Sequence, residues 1–210
     1  MKENAIKTAD LLLQIKAIKL SPANPFTWAS GWKSPIYCDN RKTLSYPKVR
    51  TFIQNEFVNT IKSRYPDVEV IAGVATGAIA IGALVADQLD LPFVYVRSKP
   101  KEHGMGNQVE GFLKKGQKVV VVEDLISTGK SSLNAVSALR EEGAKVLGMV
   151  AIFSYQFPLA EENFWKTECE LSTLSDYSTL IELAIDKGVV SEEQLDTLTN
   201  WRKKPSTWDV

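Results

Sequence analysis

The sequence predicts an α/β protein built on a doubly wound, mostly parallel sheet flanked by helices. Three observations carry this expectation. Val119–Val122 is an unbroken β-branched run, the mark of a strand buried on both faces. Between residues 68 and 153, short apolar runs alternate with segments of helical periodicity, the pattern of a parallel sheet with crossover helices. At 210 residues, with 44% hydrophobic and 24% charged residues, the chain can bury a sizeable core, and one domain over 1–210 is expected.

The elements follow from periodicity. Ile6, Ala9, Leu13 and Ala17 give an amphipathic helix near 5–18. Val49, Phe52, Ile53, Phe57 and Ile61 give a second over 48–64, stopped by Pro66. A strand is expected at 68–73, a helix at 79–89, strands at 92–97 and 118–123, a helix at 131–142 and a strand at 145–153. Gly143 ends the helix before the last of these, as a residue that takes left-handed backbone without cost. Residues 158–166, 176–187 and 191–203 read as helices, with a short strand at 169–174.

Composition excludes several classes. Lys and Arg number 25 and Asp and Glu 25, so no global field draws the chain to nucleic acid. No stretch approaches a membrane span, and Met1–Asp10 lacks a signal-peptide core, so a cytoplasmic protein is expected. Cys38 and Cys169 are far apart and have no metal-type neighbours, which argues against a disulfide framework or a zinc site.

The chemistry concentrates in residues 119–132. The Val strand is expected to end in two acids, Glu123 and Asp124. Leu125 and Ile126 follow, then Ser127, Thr128, Gly129, Lys130 and Ser131 at the start of a helix. In a parallel sheet, ligands bind beyond the carboxyl ends of strands. A small-residue loop entering a helix there offers backbone N–H groups and hydroxyls to an anion. Two carboxylates beside a phosphate cradle fit a phosphorylated sugar, whose hydroxyls donate to the acids while its phosphate sits in the loop. A Walker A loop is ruled out: it needs Gly five positions before the Gly-Lys pair, and Asp124 stands there. The plain structural alternative is a strand end with a Ser- or Thr-capped helix.

A second signal is the stretch 97–111, with three Gly, one Pro and few apolar residues. Arg97, Lys99, Lys101 and His103 put cations on a loop too long and polar to fill a core, so a mobile lid closing over a polyanion is expected. A third is the turn-rich, aromatic stretch 25–41, able to cover a flat ring.

The segment 119–132 resembles the phosphoribosyl diphosphate signature of the type I phosphoribosyltransferases, with Lys130 its unusual member. Phe26-Thr27, Ser30-Gly31 and Lys33-Ser34-Pro35 are similar to the N-terminal motif of orotate phosphoribosyltransferases. Arg97, Lys101, His103 and Gly104 resemble the lid of that family. The resemblance implies the type I phosphoribosyltransferase fold, with a small N-terminal hood over 1–45 that covers the base and a long lid loop. It implies transfer of a phosphoribosyl group from 5-phosphoribosyl 1-diphosphate to orotate in pyrimidine synthesis, with Mg²⁺ carried by the diphosphate. It implies a homodimer sharing the lid across subunits. By position, Arg97, Lys101 and His103 would bind diphosphate, with Lys101, His103 and Asp124 acting in catalysis. Glu123, Asp124, Leu125, Ile126, Ser127, Thr128, Gly129, Lys130 and Ser131 would hold the ribose phosphate. Ser127, Lys33, Tyr37 and Tyr155 would meet orotate. The chain departs from the family at three cations: Ser98 replaces a second lid lysine, Ala75–Ala78 lacks a Tyr-Lys pair, and Tyr155 replaces an Arg facing the orotate carboxylate. A purine-type transferase, or a regulator that senses phosphoribosyl diphosphate, are the alternatives on the same central signature.

Overall fold

The computed structural model describes residues 2–99 and 108–208. Among these, six strands form the main sheet, in the order β10-β9-β8-β5-β6-β7. They are β5 (Val70–Val74), β6 (Phe93–Val96), β7 (Val109–Glu110), β8 (Lys118–Ile126), β9 (Lys145–Ser154) and β10 (Leu171–Asp176). All neighbours run parallel except β6 and β7. Every residue of β5 is buried, as expected of a central strand covered on both faces.

The crossover helices are α3 (Ile79–Leu89), α4 (Lys130–Glu141) and α5 (Pro158–Lys166), while α2 (Pro47–Arg64) precedes the sheet and α6 (Tyr177–Asp186) follows its last strand. Helix α1 (Lys2–Gln14) packs against β10 and α6, and α7 (Leu195–Lys203) comes last. Short strands β1 (Ile18–Leu20), β2 (Phe26–Thr27), β3 (Lys33–Ser34) and β4 (Ile36–Cys38) form two antiparallel pairs, β1 with β4 and β2 with β3. A 3-10 turn at Asn40–Ser45 links them to α2.

The predicted bounds of α3 and α5 agree with the structure, and Gly143 has the expected left-handed backbone at φ 86°. Four expectations are corrected. The first helix stops at Gln14 rather than 18, because Lys16 turns the chain at φ 54° and Ile18 pairs with Cys38. The strand expected at 118–123 continues through both acids to Ile126, because Leu125 and Ile126 stay in register with Phe153 and Ser154 of β9. The segment 191–203 is a 3-10 turn, Glu192–Gln194, followed by α7. The stretch 97–111 is not all loop. The Arg97 N–H donates to the Gln108 carbonyl at 2.9 Å, and Tyr95 and Val96 pair with Glu110 and Val109. Lys101 and His103 lie outside the described residues.

Candidate active site

At the carboxyl ends of β5 and β8 lies a cavity of about 390 Å³. Its walls are Glu123 and Asp124 from β8, the loop Ser127–Ser131, the loop Ala75–Gly77 after β5, and Cys38, Asp39 and Arg41. The helix α4 begins at this loop with Gly129 in left-handed backbone, φ 78°, and no side chain caps it. The capped-helix alternative therefore fails: Ser127 and Thr128 face the cavity without serving the helix. The loop is held from behind. Asn163 Nδ2 donates to the Thr128 carbonyl at 2.9 Å, and a Cβ at Gly129 would stand 2.9 Å from the Phe164 ring.

The two acids are held differently. Glu123 is buried, and its carboxylate accepts from the Asp124 N–H at 2.9 Å and from Ser132 Oγ at 2.8 Å. Burial pushes its carboxyl well above the usual carboxylate range, and the Asp124 charge adds to this. Asp124 is raised too, chiefly by burial, with the Arg41 guanidinium among the groups that pull it back. The Asp124 carboxylate lies against Gly77, and its carbonyl accepts from Asn40 Nδ2 at 2.6 Å. The Cys38 thiol donates to Asn40 Oδ1 at 3.1 Å. Burial and the charges of Asp124 and Asp39 hold this thiol protonated.

A smaller cavity of about 180 Å³ adjoins the first through Cys38, Leu125 and Ser127. Trp28, Tyr37 and Tyr155 complete its lining, so it is flat-walled and aromatic. Tyr155 is buried against Phe157, Phe153 and Trp201. Burial raises its phenol well above the ordinary value, so the hydroxyl stays a donor.

Of the predicted site residues, Glu123, Asp124, Leu125, Ser127, Thr128, Gly129, Lys130 and Ser131 line the larger cavity. Ser127, Tyr37 and Tyr155 meet in the smaller one. Three residues are placed elsewhere. Ile126 points into the core, since alternation along the strand turns it away from Leu125. Lys33 lies on β3 with Nζ donating to Thr27 Oγ1 at 2.9 Å, outside both cavities. Arg97 pairs with Glu110 at 3.7 Å beside the β6 end and does not line either cavity. Sequence reasoning missed Trp28, Asp39, Asn40, Arg41, Thr76, Gly77 and Ser132 as site residues. Asp39 to Arg41 stand in the stretch singled out for its aromatics, and Thr76-Gly77 at a predicted strand end, so position alone pointed to them.

A carboxylate pair at a sheet end, facing a hydroxyl loop at a helix start, defines a phosphoribosyltransferase, and the phosphoribosyl transferase domain model matches residues 40–186. The chain is 61% identical over 202 residues to the orotate phosphoribosyltransferase of Porphyromonas gingivalis, covering 96% of each. To that of Streptococcus pneumoniae serotype 4 it is 58% identical over 200 residues, covering 95% of each. The chain belongs to the orotate phosphoribosyltransferase family. Among solved structures, the orotate phosphoribosyltransferase from Aeropyrum pernix matches with a TM-score of 0.74 at 26% identity, over 87% of this chain and 99% of that one. The Leishmania donovani UMP synthase matches in fold with a TM-score of 0.78, over 94% of this chain and 42% of that one.

Proposed function

We propose that the protein transfers the phosphoribosyl group of 5-phosphoribosyl 1-diphosphate to orotate, giving orotidine 5'-phosphate and diphosphate in pyrimidine synthesis. The observation that carries this reading is the junction of the two cavities at Leu125 and Ser127: a polar, phosphate-type cradle opens directly onto a flat aromatic slot. The 61% identical relative favours orotate over a purine.

In this reading the 5-phosphate takes the backbone N–H groups and hydroxyls of Ser127–Ser131 at the α4 start. The ribose hydroxyls donate to Glu123 and Asp124. As the C1–oxygen bond breaks, its electron pair leaves with diphosphate and C1 gains oxocarbenium character. Carboxylates beneath the ribose stabilise that charge. A ring nitrogen of orotate then forms the new bond to C1 and gives up its proton to the departing diphosphate, so the protein supplies positioning and exclusion of water. Ser127 and Tyr155 offer hydroxyl donors to the base, and Tyr37 an aromatic face. Diphosphate would leave along the Ala75–Gly77 loop, and Arg97, Lys101 and His103 are proposed to supply cations to it.

The donor set fits a Mg²⁺ held mainly by substrate oxygens. Glu123 accepts from the Asp124 N–H and Ser132 Oγ with one lone pair of each oxygen, and both acids line the cavity, so the pair is suited to ribose hydroxyls and leaves the metal to substrate oxygens. Bound on the diphosphate, Mg²⁺ would neutralise leaving-group charge. We further propose a cytoplasmic homodimer whose lid reaches the partner's site. Among the described residues, no helix is long and apolar enough to cross a membrane.

The test is orotate absorbance after mixing purified protein with phosphoribosyl diphosphate, with and without Mg²⁺. Metal-dependent loss of orotate with formation of its nucleotide supports the reading. Turnover of adenine or hypoxanthine with none of orotate overturns it.

A further inference from the structure

The phosphoribosyl transferase domain match spans residues 40–186, yet half of the slot's lining, Trp28, Tyr37 and Cys38, comes from chain ahead of that span. Trp28, from the turn after β2, forms one wall of the slot. Its Nε1–H donates to the Ile36 carbonyl at 3.1 Å, which fixes the plane of the indole. Its ring centroid stands 5.1 Å from that of Tyr155, which lines the same slot.

Trp28 also meets Trp201 of α7, edge to face, at 5.7 Å and 87°. Trp201 also meets Tyr155 edge to face at 5.7 Å and is fully buried. Its Nε1–H donates to the Lys33 carbonyl at 3.1 Å, tying α7 to the hairpin that carries Trp28. The helix is anchored in turn. Tyr177 Oη donates to the Leu198 carbonyl at 3.1 Å, and Arg202 donates to Ser178 Oγ at 2.7 Å. Ser178 donates to Gln156, the residue after Tyr155, at 2.7 Å. A single indole thus clamps two walls of the slot through packing and one backbone hydrogen bond. The slot it keeps measures about 180 Å³.

We propose that Trp28 is a specificity-determining residue that contacts the base and shapes the wall the base lies against, and that Trp201 is the positioning residue that holds it there. This rests on the transferase reading above. Trp28→Leu removes the wall, and Trp28→Phe keeps an aromatic face. Trp201→Phe keeps the apolar fill and loses the N–H to Lys33.

The experiment is steady-state kinetics of the full chain and the three variants, with orotate and phosphoribosyl diphosphate each varied, alongside melting temperature. The expected result for Trp28→Leu is a KM for orotate raised about tenfold, with KM for phosphoribosyl diphosphate within about twofold of the parent. Trp28→Phe recovers most of the loss. Trp201→Phe moves orotate KM in the same sense by a smaller factor, a split that a merely structural loss would not produce. Unchanged orotate KM in Trp28→Leu, or equal rises in both KM values, overturns the proposal. Should the parent protein use a base other than orotate, the orotate reading falls. The slot proposal then stands if Trp28→Leu raises the KM of that base alone, and falls if it does not.

Discussion

The Asp124 carboxylate lies so close over the backbone of Gly77 that a Cβ at residue 77 would stand 2.4 Å from it. The acid at the end of one strand is therefore seated by the loop of its neighbour. Gly77→Ala must push that carboxylate away, because the obstructing group is on a buried strand end. Displacement on the scale of an ångström costs about 100-fold in rate. The expected outcome is a loss of that order in kcat/KM for phosphoribosyl diphosphate, with melting temperature little changed. Steady-state kinetics beside a thermal melt check it.

Glu123 works against the fold. Burial raises its carboxyl in the folded state, so the folded form binds a proton more tightly than the unfolded form. Stability then falls as pH rises from the unfolded-state value through the raised folded value, and remains lower above it. Glu123→Gln removes the buried charge, while the Ser132 hydroxyl can reverse to accept from the new amide. The variant is expected to be more stable by about 0.5–2 kcal/mol at pH 8, with the gain shrinking toward pH 4. Its affinity for phosphoribosyl diphosphate should drop. Denaturant melts at both pH values and a binding isotherm test the trade-off.

The same raised pair predicts the acid limb of activity. Ribose contacts and charge stabilisation need ionised carboxylates, and burial raises both Glu123 and Asp124. kcat/KM for phosphoribosyl diphosphate should fall with decreasing pH at values above the ordinary carboxylate pKa of about 4. A pH–rate profile whose acid limb sits at that ordinary value would contradict the geometry.

Asn40 joins the N-terminal region to the site. It is buried, donates to the Asp124 carbonyl at 2.6 Å and accepts from the Cys38 thiol. Asn40→Ala leaves a carbonyl and a thiol without their partner, a cost of about 1–3 kcal/mol. At this chain length each kcal/mol lowers the melting temperature by roughly 2–4 °C. Both melting temperature and kcat/KM should decline, and Asn40→Asp, which cannot donate when ionised, should not restore either.

Much of the site was legible in sequence because its chemistry is contiguous. The acid pair, hydroxyl loop and helix start fall within Glu123–Ser131, and local periodicity placed them at a sheet end. Only Ile126 within that run points away, an outcome of strand alternation beyond the acids. Reading the strand as ending at Glu123 failed because charge breaks an apolar pattern without breaking a hydrogen-bond ladder.

What the sequence by itself determined is the α/β alternation, the phosphoribosyl cradle and membership of the family. All are written in short-range pattern and spacing. What only the tertiary structure decided is which distant residues share a wall. Trp201 reaches Lys33 across 168 positions, Asn40 reaches Asp124 across 84, and Gly77 seats Asp124 from the loop after a neighbouring strand. Those contacts follow from the order of strands in the sheet and the return of α7 over the N-terminal hairpin. No local periodicity encodes them, because they exist only once the core has brought separate elements together.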